Sequence, residues 1–151
     1  MSDENSDILD SAIIKATGNL TSGDGHIAVD FYKILSIGLG GYLDEISFYH
    51  KQIKLYDQDG IRKDHFYTAL NISIKAFQAF IMRFQSLALE MSSKEKDPSR
   101  GFELAVIAGN CKVISERPPE NFYQALQLAY FVQLVLQIES NGHSVSLGRM
   151  D

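Results

Sequence analysis

Apolar residues recur at steps of four and three along Phe66, Leu70, Ile74, Phe77, Ile81, Phe84, Ala88 and Met91. That spacing keeps them on one helical face, where a strand period of two would scatter them. Ile72, Ala76, Ala79 and Phe80 add a second stripe, so the pattern predicts one long helix over about 62–91 with two covered sides. The stretch 122–138 differs in kind. Its seventeen residues carry no charge; thirteen are apolar or aromatic and four are glutamines, at 124, 127, 133 and 137. Apolar positions run all round it, which predicts a helix buried on every side.

Weaker patterns fill the rest. Residues 7–15 suggest a short helix or strand around Ile8, Leu9, Ile13 and Ile14, and GNLTSGDGH at 18–26 reads as a loop by its glycines and small polar residues. A helix is predicted from near Asp30. Gly38, Gly40 and Gly41 weaken it by about 1 kcal/mol each relative to alanine, which predicts a tight helix crossing there. It resumes through Tyr42, Leu43, Ile46 and Ile53 and ends at the DQDG turn, 57–60. SSKEKDPSRG at 92–101 reads as a loop in which Pro98 bars helix continuation. A shorter helix spans about 102–114, with Leu104, Ile107, Ala108, Cys111 and Ile114 inward. Pro118 and Pro119 stop it, and Pro119 suits the first turn of the next helix. After Gly142, alternation of His143, Val145 and Leu147 against Ser144 and Ser146 predicts a terminal strand with nothing to pair with. The fold class is therefore mainly α, about four helices and a terminal strand. Three neighbouring helices hardly cover a fourth that is apolar all round, so the chain reads as a piece of a larger fold rather than a small helical bundle.

Composition narrows the function classes. The 151 residues fit one domain, and 45% hydrophobic content excludes a disordered chain. A net charge of −5 without a Lys/Arg cluster gives no footprint for nucleic acid. Four glutamines in the most apolar stretch argue against a membrane span. The acidic start MSDENSDILD is unlike a signal peptide, and a single cysteine forms no internal disulfide. Both predict a cytoplasmic protein.

Candidate chemistry gathers at the two ends. His26 follows Gly23 and Gly25, which give the backbone turns that aim a side chain inward. His143 and Ser144 emerge from the apolar helix beside Glu139, Asn141 and Arg149, a dense polar set where each group needs a partner or a use. Arg149 with Asp151 or Glu139 reads as a structural ion pair. Cys111 sits on the apolar face of its helix and reads as a small hydrophobe. His50 and His65 lie in charged surroundings and read as solvated surface. No metal-ligand spacing and no phosphate-loop motif occurs.

PPxNFxxALQ at 118–127, GDGH at 23–26 and ExNGHSVSxGRxD at 139–151 resemble the glycyl radical enzymes of the pyruvate formate-lyase family. The resemblance runs from about Gly18 to Asp151, and the His143–Ser144 pair is most similar to the glycerol and diol dehydratase branch. It implies that residues 1–151 are part of one pyruvate formate-lyase-type domain, with the boundary at 1–17 open. It also implies an internal fragment of a ten-stranded α/β barrel, made of helices packed outside it and the lead-in to one strand. The implied activity is that of an anaerobic, B12-independent glycerol/diol dehydratase-type lyase. His26 assists loss of a hydroxyl as water, while His143 and Ser144 hold the diol, with the two imidazoles on one side of the terminal strand. No bound cofactor is implied; a glycyl radical is installed on a residue beyond Asp151 by a radical S-adenosylmethionine activase. The implied partners are a small diol or related substrate, the remainder of the enzyme, the activating enzyme and, when intact, a second subunit in a homodimer. The family's catalytic cysteine also falls beyond Asp151, so the chain alone is expected to be inactive. Two alternatives stay open: a formate acetyltransferase-type C–C lyase or other glycyl radical lyase, and a catalytically inactive helical fragment or binding module.

Overall fold

The computed structural model describes residues 27–139 and 145–147. They run in the order β1 (Ile27–Ala28), α1 (Phe31–His50), α2 (Gly60–Lys94), α3 (Pro98–Ile114), α4 (Phe122–Glu139) and β2 (Val145–Ser146). The segment 7–15 and the loop 18–26 lie outside the described residues. The chain is mainly helical, as its periodicity predicts.

Asp30 opens α1, its carboxylate accepting the Lys33 N–H at 3.0 Å and so satisfying one of the free amides of the first turn. At Gly38 the helix breaks, with φ 65° and ψ −179°, a combination essentially confined to glycine. The break has a measurable consequence. Lys33 and Glu45 stand twelve positions apart, about 18 Å of rise along an unbroken helix, yet their charged ends meet at 2.6 Å.

The glycines permit a close approach, but not the helix-on-helix crossing predicted from them. What crosses is the segment joining α3 to α4. The Gly40 N–H donates to the Glu116 carbonyl at 2.6 Å, and a Cβ at Gly38 would lie 2.5 Å from the Arg117 carbonyl carbon and the Pro118 nitrogen. α1 then ends at His50 rather than running on to 57. The amides of Gln52 and Ile53 reach back only three residues, to Tyr49 and His50, which tightens and terminates the turn.

α2 is longer than its apolar stripe predicts, and Pro98 opens α3 instead of holding a loop open. Proline has no N–H to lose at a first helical position, and Asp97 caps the turn by accepting from Ser99 N at 3.0 Å. The connection between α2 and α3 thus shrinks to 95–97. Of the inward set predicted on α3, Leu104, Ala108, Cys111 and Ile114 are buried, while Ile107 is exposed. On α2, Ile81 and Ala88 are buried and Ile74 and Phe77 pack on the core, but Phe66, Phe84 and Met91 are exposed.

The core joins Ile34 and Leu39 of α1, Ile81 of α2, Cys111 and Ile114 of α3, and Leu128, Phe131 and Val132 of α4. Phe80, Phe84 and Phe131 meet edge to face with centroids 5.0 to 6.3 Å apart, an arrangement that adds to their area burial.

α4 does not start at Pro119. Asn121 caps it through Gln124 N at 3.1 Å, and the Gln124 side chain accepts the Glu120 N–H at 2.7 Å. Nor is the helix buried on every side. Leu128, Ala129, Phe131 and Val132 are covered, whereas Phe122, Tyr123, Leu126, Tyr130 and Ile138 are open, Phe122 at 74%. Among the described residues, α1, α3 and β2 pack on it, Phe80 and Phe84 of α2 reach Phe131, and together they cover one face.

Ile27 pairs with Val145 and Ala28 with Ser146 in a parallel two-residue ladder. The extended residues after Gly142 therefore do have a partner, supplied by the segment just before α1, where local pattern predicts no strand. Of the terminal strand, only Val145 and Ser146 are described as such.

Candidate functional site

The residues singled out by sequence flank the β1–β2 ladder. His26 directly precedes Ile27, and His143 and Ser144 directly precede Val145. All three lie outside the described residues, as do Asn141, Arg149 and Asp151. What is described is the frame around them. β1 leads within two residues into α1, where the Phe31 N–H donates to the Val29 carbonyl at 2.9 Å; α4 leads into β2. Val29, Phe31, Leu134 and Leu136 pack against the core on the two approaches.

Glutamines in the apolar helix have assigned work. Gln127 donates to the Ile107 carbonyl at 3.1 Å and to Cys111 Sγ at 3.0 Å, and its Oε1 accepts from Asn110 at 3.0 Å. This knot fastens α3 to α4 through partly buried polar groups, which lose free energy when left unpaired. Burial pushes the Cys111 thiol above its ordinary value, against the smaller opposing effect of the Gln127 hydrogen bond. A buried thiol held protonated is a poor nucleophile, which agrees with the structural role read from the sequence. Alkylation of Cys111 at pH 8, followed on its own peptide by mass spectrometry, should be slow in the native protein and rapid once it is unfolded. Labelling at the rate of a free thiol under native conditions would contradict the packing.

His50 is not merely solvated. Its Nε2 lies 2.7 Å from Asp64 Oδ1 and its ring stacks on Tyr67 with centroids 6.2 Å apart, tying the end of α1 to the start of α2. Sequence periodicity misses this because the partners belong to different helices. His65 is exposed. A shallow depression lined by Asp44, Ser47, Phe48, Lys51 and Gln52 lies at the other end of α1 from β1. Among the described residues no group of three or more His, Cys, Asp or Glu is placed to hold a metal, and no described helix is long and apolar enough to cross a membrane.

Comparison with known proteins places this frame. The pyruvate formate lyase-like family model matches residues 1–151, and the chain belongs to that family. It is 48% identical over 149 residues, 99% of its length, to the Escherichia coli K12 protein named "Probable dehydratase YbiW", of which it covers 18%. It is 40% identical over 130 residues to the (2S)-3-sulfopropanediol dehydratase of Klebsiella oxytoca, covering 86% of this chain and 16% of that one. In structure it is similar to the glycerol-bound B12-independent glycerol dehydratase of Clostridium butyricum, with TM-score 0.85 and 31% identity, over 100% of this chain and 19% of the other. The chain thus spans less than a fifth of these relatives and adopts the matching part of their fold.

Proposed function

We propose that the chain forms one wall of the substrate pocket in a glycyl radical lyase of the B12-independent glycerol/diol dehydratase type. The observation that carries this is the parallel register of Ile27 with Val145. Those partners are the residues that follow, along the chain, the histidine of GDGH and the serine of NGHS, which supports a shared pocket. The dehydratase relatives add support for the class of reaction.

In this reading Ser144 and His143 hold the hydroxyls of a small diol. A buried hydroxyl left unpartnered costs about 1–3 kcal/mol, so two polar side chains both bind and orient it. Strand neighbours point to opposite faces, so both touch one diol only if one side chain reaches round or the strand is distorted. His26 donates a proton to the departing hydroxyl, which leaves as water, while a glutamate beyond Asp151 takes the proton of the other hydroxyl. The glycyl radical, installed by a radical S-adenosylmethionine activase, supplies hydrogen-atom abstraction from the carbinol carbon through a cysteine thiyl. Cys111 does not fit that thiyl role: it is buried in the α3–α4 seam, closed off by Gln127.

The test uses the intact enzyme and the 151 residues side by side, each anaerobic with activase and S-adenosylmethionine. The intact enzyme should convert glycerol or propane-1,2-diol to aldehyde and water; the 151 residues should not. They should also bind an environment-sensitive dye strongly, because Phe122, Tyr123, Leu126 and Tyr130 stand open on α4 and patches of several hundred Å² drive association. Turnover by the 151 residues alone would overturn the assigned roles. A sharp monomeric peak without dye binding would favour a self-contained helical module.

A further inference from the structure

β1 and the first part of α1, residues 27–37, form a short arm on one side of the Gly38 break. On the other side, Gly40 is hydrogen-bonded to Glu116, and the chain from Glu116 runs through α4 to β2, which pairs back with β1. The path closes into a frame with two fixed joints, the ladder and the Gly40–Glu116 crossing, and one bend between them. An ion pair spans that bend. Lys33 lies on the arm and Glu45 beyond the break, 2.6 Å apart. The Lys33 ammonium also sits 5.1 Å from the centre of the Tyr42 ring, so two residues past the break hold it. The hydrogen bond that Lys33 donates to the Glu45 carboxylate raises the Lys33 pKa above its ordinary value.

Gly38 permits the bend, the crossing against Arg117 and Pro118 limits it, and Ile34 and Leu39 pack into the core on either side of it. We infer that the Lys33–Glu45 bridge is a clamp on the Gly38 bend, and that these two are positioning residues fixing how β1, the strand that follows His26 in the chain, meets β2. The placement of His26 in a pocket rests on the proposed function; the clamp itself does not. Both side chains are partly exposed, so removing the bridge leaves the fold intact, as exposed pairs contribute little to stability. A small change of angle still matters at a reacting centre, because a shift near 1 Å in a proton donor lowers the rate without weakening ground-state binding.

The experiment compares intact wild-type enzyme with Glu45→Gln and with the charge-reversed double variant Lys33→Glu/Glu45→Lys. In Glu45→Gln, amide exchange over 27–37 should quicken about two- to five-fold, the range of an exposed ion pair, with exchange over α3 unchanged. Its kcat on diol should fall by a similar factor with KM and melting temperature unmoved. Charge reversal should return both readouts toward wild type. Unchanged exchange over 27–37, or a loss that reversal does not restore, overturns the clamp. Altered exchange with wild-type kcat overturns the positioning role, leaving the bridge merely structural. Should wild-type enzyme dehydrate no diol, the proposed function fails, and the clamp is decided by exchange alone.

Discussion

Gly38→Ala should destabilise the protein by about 2–6 kcal/mol, the sum of two costs, and the same substitution at Gly109 should stabilise it slightly. At Gly38 the backbone holds φ 65° with ψ −179°, a region in which a side-chain-bearing residue is strained by of order 1–3 kcal/mol. The new Cβ would also sit 2.5 Å from the backbone of Arg117 and Pro118, and overpacking of this kind costs about 1–3 kcal/mol. Neither contact is the tip of a flexible side chain, so relief requires α1 to separate from the α3–α4 connection, with loss of the Gly40–Glu116 hydrogen bond. At Gly109, midway along α3, a methyl group would meet nothing within 4 Å, and alanine there gains about 0.5–1 kcal/mol in helix propensity. Local amide exchange over 31–50 and over 98–114 reads the two effects separately. Equal, small changes at both glycines would show that the Gly38 crossing is not held as described.

His26→Ala in the intact enzyme should lower kcat by about 10²–10⁴, the usual contribution of a positioned proton donor, with KM little changed. Ser144→Ala should do the reverse. Leaving a diol hydroxyl unpartnered at about 1–3 kcal/mol corresponds to roughly 5- to 150-fold in KM, with a smaller effect on kcat. The split between the two variants is the informative result. A loss in His26→Ala of only a few-fold, or a loss in KM alone, would remove His26 from the proton-donor role. A substrate whose leaving group departs without protonation should bypass the need for His26 and leave the Ser144 effect in place. The family membership would survive either outcome, since it rests on the whole chain.

The four helices are legible in the sequence because helix formation is local. The four-and-three spacing on α2 and the helix start near Asp30 act within one or two turns. Pro98 shows the limit of such local signals. The residue suits a barrier and a start equally, and only Asp97 before it decides for a start. The inert character of Cys111 is also readable, from its place among Leu104, Ala108 and Ile114.

By itself, then, the sequence determined the helical content, most of the inward residues on α3, the glycine-dependent close approach near 38–41, and the family. Tertiary structure alone decided the rest. That Gly38 breaks α1 depends on Glu116, Arg117 and Pro118, more than seventy positions away. That α4 is covered on one face depends on which helices reach it. The pairing of Ile27 with Val145 joins the two ends of the described chain, and no short window of sequence contains both partners. Periodicity reports what a residue prefers beside its near neighbours along the chain; closing so long a loop is an entropic cost met only by the summed packing of the helices between.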